Sequence, residues 1–326
     1  MMLFQKSTFA LSLVLISTLV NAQSELTRII NFGSNPGNLH MFMHSSQDSS
    51  INESSKPLVV VLHGCSQSAE SVSVQTGWNK LADDYGFYVL YPQQKNSNNP
   101  NNCYNWFRPN DISKNKGEAH SIKQMVDYVI DSLSIDSTRI FIYGLSAGAA
   151  MAVALLADYP YLFNAGAILA GGAYMSAENY AEAMLVMTNP REKSSVELAL
   201  PVLRQNPEYQ NNYPRLIIFH GKKDFVVDIT NSYQLIQQWT YIHRTDTIPD
   251  DLVHPFNLHP DITKYIYRDS SNQEVVAFYE VANLGHAVMI DPGDSLHQGG
   301  KKGLFAVDHN FFSTYWIARD FGLIQP

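Results

Sequence analysis

The sequence is short of several things, and each shortage closes off a class of answers. It has only two cysteines in 326 residues, Cys65 and Cys103. Neither has metal-ligand spacing, so a zinc site is excluded. Basic residues are outnumbered, with 22 Lys and Arg against 30 Asp and Glu and a net charge of −8. Phosphate backbones repel an acidic chain, which argues against a nucleic-acid partner. No internal repeat and no low-complexity linker interrupts the chain, and past its N-terminal stretch no apolar run is long enough to cross a bilayer. The chain has 45% hydrophobic and 16% charged residues, the balance of a folded globular protein rather than a disordered one.

The first 22 residues differ from the rest. Lys6 is their only charged side chain, residues 9–20 form an apolar run with Ser and Thr mixed in, and Val20-Asn21-Ala22 has the small residues of a cleavage site. This pattern predicts a secretory signal peptide cut near Ala22, too short in its apolar part to span a membrane. No cysteine follows the cut, so no lipid anchor is expected. Residues 23–326 would then be the mature chain, more acidic by the loss of Lys6. Export places the two cysteines in an oxidising compartment, where one disulfide between Cys65 and Cys103 is the simplest reading.

Chemistry concentrates in residues 139–151, RIFIYGLSAGAAM. Residues 139–143 read as a buried strand and residues 149–157 as an almost wholly apolar helix stopped by Pro160. Between them lies Gly144-Leu145-Ser146-Ala147-Gly148, a G-x-S-x-G. Strand, serine turn and helix together make a nucleophile elbow, with small flanking residues because the turn is tight. The helix aims its N-terminal N–H groups at the serine. Ser146 is the candidate nucleophile; the plainer alternative is a serine in a glycine-rich turn.

Other strand ends supply partners. Residues 57–62 (PLVVVL) form a buried strand that runs into His63-Gly64-Cys65. The backbone N–H groups of Cys65 and Ala147 are the candidate oxyanion donors. Residues 215–220 lead to Asp224, the expected triad acid, with Asp228 as runner-up. Glu274–Val281 reads as the last strand, followed by Gly285-His286, which completes the order Ser, Asp, His. His286 is the candidate base. His120 reads as structural, and His254, His259, His297 and His309 as surface residues. Asp308 is expected to cap a closing helix.

The remaining chain fits around these. Residues 27–32 and 39–44 predict a hairpin at the sheet edge. Trp78, Leu81, Ala82 and Tyr85 predict a helix closed by Gly86, and Ile122, Met125, Val126, Val129 and Leu133 predict another. Strand and helix alternate, which predicts an α/β fold: a mostly parallel sheet with helices on both faces. The long loop 92–116 carries Cys103-Tyr104-Asn105-Trp106-Phe107, and a Cys65–Cys103 bond would bring Tyr104, Trp106 and Phe107 beside the serine as an apolar wall. Residues 173–213 have weak periodicity and predict an irregular insertion over the sheet's carboxyl edge.

Several stretches together resemble the α/β-hydrolase esterases of the polyhydroxybutyrate depolymerase type, related to feruloyl and acetyl-xylan esterases. They are LHGCSQSA (62–69), GWNKLADDYGFYVLYPQQ (77–94), CYNWF (103–107), GLSAGAAMA (144–152), YPYLFNAGAILAGG (159–172), HGKKDFVV (220–227) and GHA (285–287). The resemblance implies the α/β-hydrolase fold, a triad on Ser146, Asp224 and His286, and a Cys65–Cys103 disulfide. The chain departs from the family at Tyr104 and Val288, where Trp is frequent. Those positions touch the acyl pocket in the family, so the resemblance leaves the substrate open. Secreted polymer depolymerases also often carry a linker and a polymer-binding domain; the sequence shows neither, which favours soluble oligomers or small esters.

The expected function is therefore a secreted serine esterase acting through an acyl-enzyme, needing no cofactor and no metal. Its partner is an ester substrate, such as a 3-hydroxybutyrate oligomer. Feruloyl or acetyl-xylan esters are the alternative. An amidase or exopeptidase, and a catalytically silent binding module, are the competing readings on the same fold.

Overall fold

Continuous β-branched runs in this chain become strands buried on both faces, and the rest is arranged to cover them. The computed structural model describes residues 26–45, 55–209 and 211–324. The signal peptide read at residues 1–22 lies outside the described residues. Ten strands form one sheet: β1 (Thr27–Ile29), β2 (His40–Ser45), β3 (Lys56–Leu62), β4 (Tyr88–Gln93), β5 (Ile135–Leu145), β6 (Ala165–Leu169), β7 (Arg215–Gly221), β8 (Asp251–Val253), β9 (Ile262–Arg268) and β10 (Glu274–Val281). Their order is β1-β2-β4-β3-β5-β6-β7-β10-β9-β8. From β4 to β10 neighbouring strands are parallel, while β1, β2, β9 and β8 pair antiparallel at the two edges. The hairpin predicted at the edge is β1 and β2.

Alternation along each central strand divides the core into two layers. On one face Leu58, Val60, Leu62, Ile140, Ile142, Ile168, Ile218 and Phe278 are buried together. That face is covered by α4 (Gly117–Ser132), α5 (Ala147–Asp158), α7 (Ser195–Gln205) and α8 (Thr230–Ile242). On the other, Val59, Val61, Phe141, Tyr143, Phe219 and Tyr279 are buried under α1 (Ala69–Thr76), α2 (Trp78–Tyr85) and α9 (Ser313–Asp320). Each buried aliphatic or aromatic side chain contributes roughly 1.5–3 kcal/mol. Capping fixes several boundaries. Ser68 makes a capping box with Ser71 at α1, and Gly86 at φ +74 closes α2.

Three expectations need correction. The insertion at residues 173–213 is not irregular: it holds α6 (Tyr180–Thr188), capped by Asn179, and α7, capped by a Ser194–Glu197 box. Among its described residues α6 buries only Ala183, so it has no apolar stripe, and α7 contains Pro201. Strand β10 closes the large sheet but is not the last strand; β11 (Val288–Ile290) and β12 (Ala306–Asp308) pair in parallel beyond it. Asp308 does not cap α9. It accepts the Asn310 N–H and pairs with Lys302, while the α9 N-cap is Phe312.

The insertion is tied to one side of α8 by amides. Asn231 Nδ2 donates to the Val186 carbonyl at 2.9 Å, Gln234 Nε2 to Arg191 at 2.7 Å, and Gln238 Nε2 to Leu198 at 2.6 Å. Their spacing places the three amides along one face of the helix. Loop backbone buried against that face finds its partners there.

Candidate active site

Cys65, Ser146, Asp224 and His286 each lie a few residues past the carboxyl end of a parallel strand, on the same edge of the sheet. Strand β5 ends at Leu145 and α5 begins at Ala147, so Ser146 makes the whole turn, at φ 56 and ψ −122. This is a strained conformation for a residue with a side chain. The neighbouring glycines allow it. A Cβ on Gly144 would fall 2.3 Å from the Gly148 carbonyl oxygen, and one on Gly148 would fall 2.5 Å from the His63 carbonyl oxygen. Ser146 N–H donates to Leu169 at 2.9 Å, anchoring the turn to the end of β6.

The loop after β3 passes beside this turn; a Cβ on Gly64 would lie 3.5 Å from Ser146 Cβ. His63 is fully buried, and burial pushes its pKa down to about 4, with the Gly64 carbonyl opposing. Its Nδ1 faces that carbonyl at 2.7 Å and its Nε2 faces the Gln94 N–H at 3.1 Å. Those partners require a proton on Nδ1 and none on Nε2. His63 is therefore a neutral strut that fixes the loop. The loop N–H groups of Gly64, Ser66 and Gln67 go to Gln67 Oε1, Asn101 and Gly64. Among the described residues, the N–H groups of Cys65 and Ala147 are left without a hydrogen-bond partner. The Cys65–Cys103 disulfide is formed and spans 38 residues.

Asp224 and His286 meet directly, with His286 Nδ1 2.7 Å from Asp224 Oδ2. The other carboxylate oxygen accepts the N–H groups of Val226 and Val227 at 2.8 and 2.9 Å. Burial alone would raise the Asp224 pKa. The hydrogen bonds from His220 and His286, the charge of His286 and the Val227 N–H outweigh it and hold the carboxyl well below the usual range. Nδ1 of His286 must carry a proton to donate to the carboxylate, which leaves Nε2 as the basic atom. The Phe305 ring stands nearly perpendicular to the imidazole, with ring centroids 5.9 Å apart.

One narrow, mostly apolar cavity collects the other pieces. Ser146, Cys65, Ala147, Trp106, Met187, Val227 and Asn231 all line it. Val227 follows Asp224 by three residues in the same loop, while Asp224 and His286 themselves do not line the cavity. Ser176 and Met187 come from the insertion, which thus forms part of the wall.

Some expected residues stand elsewhere. Trp106 lines the cavity, but Tyr104 does not. Tyr104 is fully buried behind His63, with ring centroids 4.9 Å apart, and its hydroxyl donates to the Pro92 carbonyl at 2.7 Å. A phenol that finds a partner in the core turns inward. Phe107 packs against Ala177, Ala183 and Tyr180 of the insertion rather than lining the cavity. Val288 is buried in β11, also away from it. Asp228 accepts the Thr230 N–H at the start of α8, a helix-end role. His309 pairs with Asp261. Sequence reasoning missed His220, Asn231 and Phe305. His220 had a signal, four residues before Asp224 at a strand end; the other two had none.

A serine held at positive φ between a buried parallel strand and a helix, with an Asp–His pair on the same sheet edge, belongs to the α/β-hydrolase class. The acetyl xylan esterase from Aspergillus awamori has the same fold, with a TM-score of 0.73 at 22% identity over 80% of this chain and 94% of that one. Within that class the chain belongs to the esterase PHB depolymerase family, which matches residues 47–247. It is 36% identical over 324 residues to a poly(3-hydroxyalkanoate) depolymerase C of Paucimonas lemoignei, covering 99% of this chain and 76% of that protein. A feruloyl esterase B of Talaromyces funiculosus is 30% identical over 82% of this chain and 74% of its own length. The chain is a hydrolase of ester bonds.

Proposed function

We propose that the protein is a secreted serine esterase that cleaves 3-hydroxybutyrate oligomers or related polyhydroxyalkanoate esters through an acyl-enzyme. The observation that carries this reading is the cavity lined together by Ser146, Cys65 and Ala147, the last two with backbone N–H groups that have no partner among the described residues. Similarity over nearly the whole chain to a poly(3-hydroxyalkanoate) depolymerase supports the substrate class. The predicted leader and the disulfide support export.

In this reading Ser146 Oγ attacks the ester carbonyl carbon and His286 Nε2 takes its proton. Negative charge collects on the carbonyl oxygen, where the Cys65 and Ala147 N–H groups receive it. His286 then protonates the leaving alcohol, and the acyl group stays on Ser146. Water repeats the sequence, with His286 as base, and releases the acid. Asp224 holds the imidazole in the tautomer that keeps Nε2 basic. Trp106 and Met187 give the acyl chain an apolar wall.

A second reading, a feruloyl esterase, is supported by the Talaromyces funiculosus relative. Initial rates on a soluble 3-hydroxybutyrate oligomer, methyl ferulate and an acetylated xylan separate the two, with Ser146→Ala as blank. Turnover of the oligomer above the others supports the proposal. Preference for ferulate or acetyl esters replaces it with the second reading, and turnover by the blank overturns the role of Ser146.

A further inference from the structure

Asp224 faces a second histidine that the reaction as written does not use. His220, the penultimate residue of β7, is almost completely buried, with its Nε2 3.3 Å from Asp224 Oδ2 and 2.9 Å from the Val227 carbonyl. Its Nδ1 lies 2.6 Å from Ser232 Oγ on α8. A carbonyl only accepts, so Nε2 carries a proton, while Ser232 Oγ holds Nδ1 on the other side of the ring. The Nε2 N–H bonds to the Val227 carbonyl and faces Asp224 Oδ2 at 3.3 Å.

The frame around it is stiff. Lys222 N–H donates to Val281 at 2.8 Å and Lys223 N–H to Leu284 at 3.0 Å, tying the end of β7 to the loop that carries His286. A Cβ on Gly221 would fall 2.0 Å from the Leu284 carbonyl oxygen, so the two segments press together at that glycine. Backbone thus fixes the two loops against each other, while the carboxylate plane is set by the donors that reach it. Val226 and Val227 hold one oxygen. His286 and His220 share the other.

We propose that His220 is a positioning residue for the Asp224–His286 pair, an imidazole aimed by Ser232 that presents a fourth N–H to the carboxylate. This rests on the reading of Asp224 as the triad acid. The donor does two things. It stops the carboxylate from turning away from His286. It also draws off part of the negative charge on the carboxylate that faces His286. The polar groups facing the His220 ring are Ser232 from α8 and Asp224 and Val227 from the loop after β7; among the described residues no other charged group bonds to it.

The test is kcat and KM against pH for wild type, His220→Leu, His220→Gln, Ser232→Ala and Asp224→Asn, with folding checked by circular dichroism. His220→Leu is expected to lower kcat about 10- to 100-fold with KM within about threefold, as when one supporting group is lost. Its acid limb is expected to move up by about half a pH unit or more, because the carboxylate has lost a donor. His220→Gln keeps an N–H near the Nε2 position and should restore most of kcat and of the limb. Ser232→Ala should shift the limb the same way by less, and it decides the matter if His220→Leu does not fold. An unmoved acid limb in the folded variants, or equal behaviour of Leu and Gln, overturns the proposal. Full activity in Asp224→Asn would instead overturn the reading of Asp224, which separates the two failures.

Discussion

Gln238 grips the backbone of Tyr174 from both sides: its Oε1 accepts the Tyr174 N–H at 2.8 Å, and its Nε2 faces the Tyr174 carbonyl at 3.2 Å. The same Nε2 also donates to Leu198. One buried amide therefore joins the start of the insertion and α7 to α8, and the insertion contributes Ser176 and Met187 to the cavity wall. Gln238→Ala would leave the Tyr174 N–H and carbonyl without this buried partner, a cost of about 1–3 kcal/mol for each unsatisfied group. The expected result is a lower melting temperature and a raised KM, with kcat changed less. Equal KM in wild type and variant would mean that the wall does not touch substrate.

The disulfide acts on the loop that holds the Cys65 N–H. Replacing both Cys65 and Cys103 by Ser opens a closure of 38 residues. The chain-entropy model puts that at about 4 kcal/mol, and native disulfides generally contribute about 2–5. Urea unfolding should show a loss within that range, and kcat should fall more than KM rises, because a loosened donor weakens the transition state most. If kcat is unchanged, the Ser66–Asn101 hydrogen bond holds the loop alone.

The parts of this molecule that repeat a pattern were legible in the sequence. Strand β10 has the predicted bounds, and α5 follows from its unbroken apolar run, because burial on nearly every side leaves no choice of residue type. Asp224 and His286 could be placed because they follow strand ends in chain order. Direction within a loop was not legible. In CYNWF nothing marks that Tyr104 turns into the core and Trp106 into the cavity; the Pro92 carbonyl decides it. Helix α6 escaped because it buries little and so carries no periodic signal. The α8 amides Asn231, Gln234 and Gln238 carry no local signal either, because they are buried against a segment far from them in the chain.

Asp158 closes α5 with its side chain buried, and burial raises its pKa to about 8, against the Tyr174 hydroxyl and the Lys114 charge. Its Oδ1 is 3.1 Å from the Tyr174 hydroxyl, and its Oδ2 has no partner among the described residues. The folded pKa lies above the unfolded value of about 4. Folded protein thus holds a proton that unfolded protein has lost, so this stability is full below pH 4 and is lost as pH rises through about 8. The Asp158 contribution should fall by up to about 1.4 kcal/mol per pH unit within that window. Asp158→Asn should remove that slope. Urea midpoints measured at pH 5 and pH 8 check it; an equal drop in both proteins would show that Asp158 is not its source.

Trp106 and Tyr104 are two residues apart in one loop but face opposite ways, and paired substitutions should separate their roles. Trp106 lines the cavity with Ser146, so Trp106→Ala removes an apolar wall worth about 1–3 kcal/mol of substrate contact. The expected loss is at least about tenfold in kcat/KM, larger for a long acyl chain than for acetate, with little change in melting temperature. Tyr104→Phe removes one buried hydrogen bond and nothing from the cavity. It should cost about 1 kcal/mol of stability, more if the Pro92 carbonyl is left dry, and leave kcat/KM alone. Rates on acetyl and butyryl esters, with melting curves for both variants, read out the difference. A change in acyl preference in Tyr104→Phe would mean that the core residue reaches substrate after all. Its full burial behind His63 argues against that, because the ring would have to displace the strut that fixes the Cys65 loop.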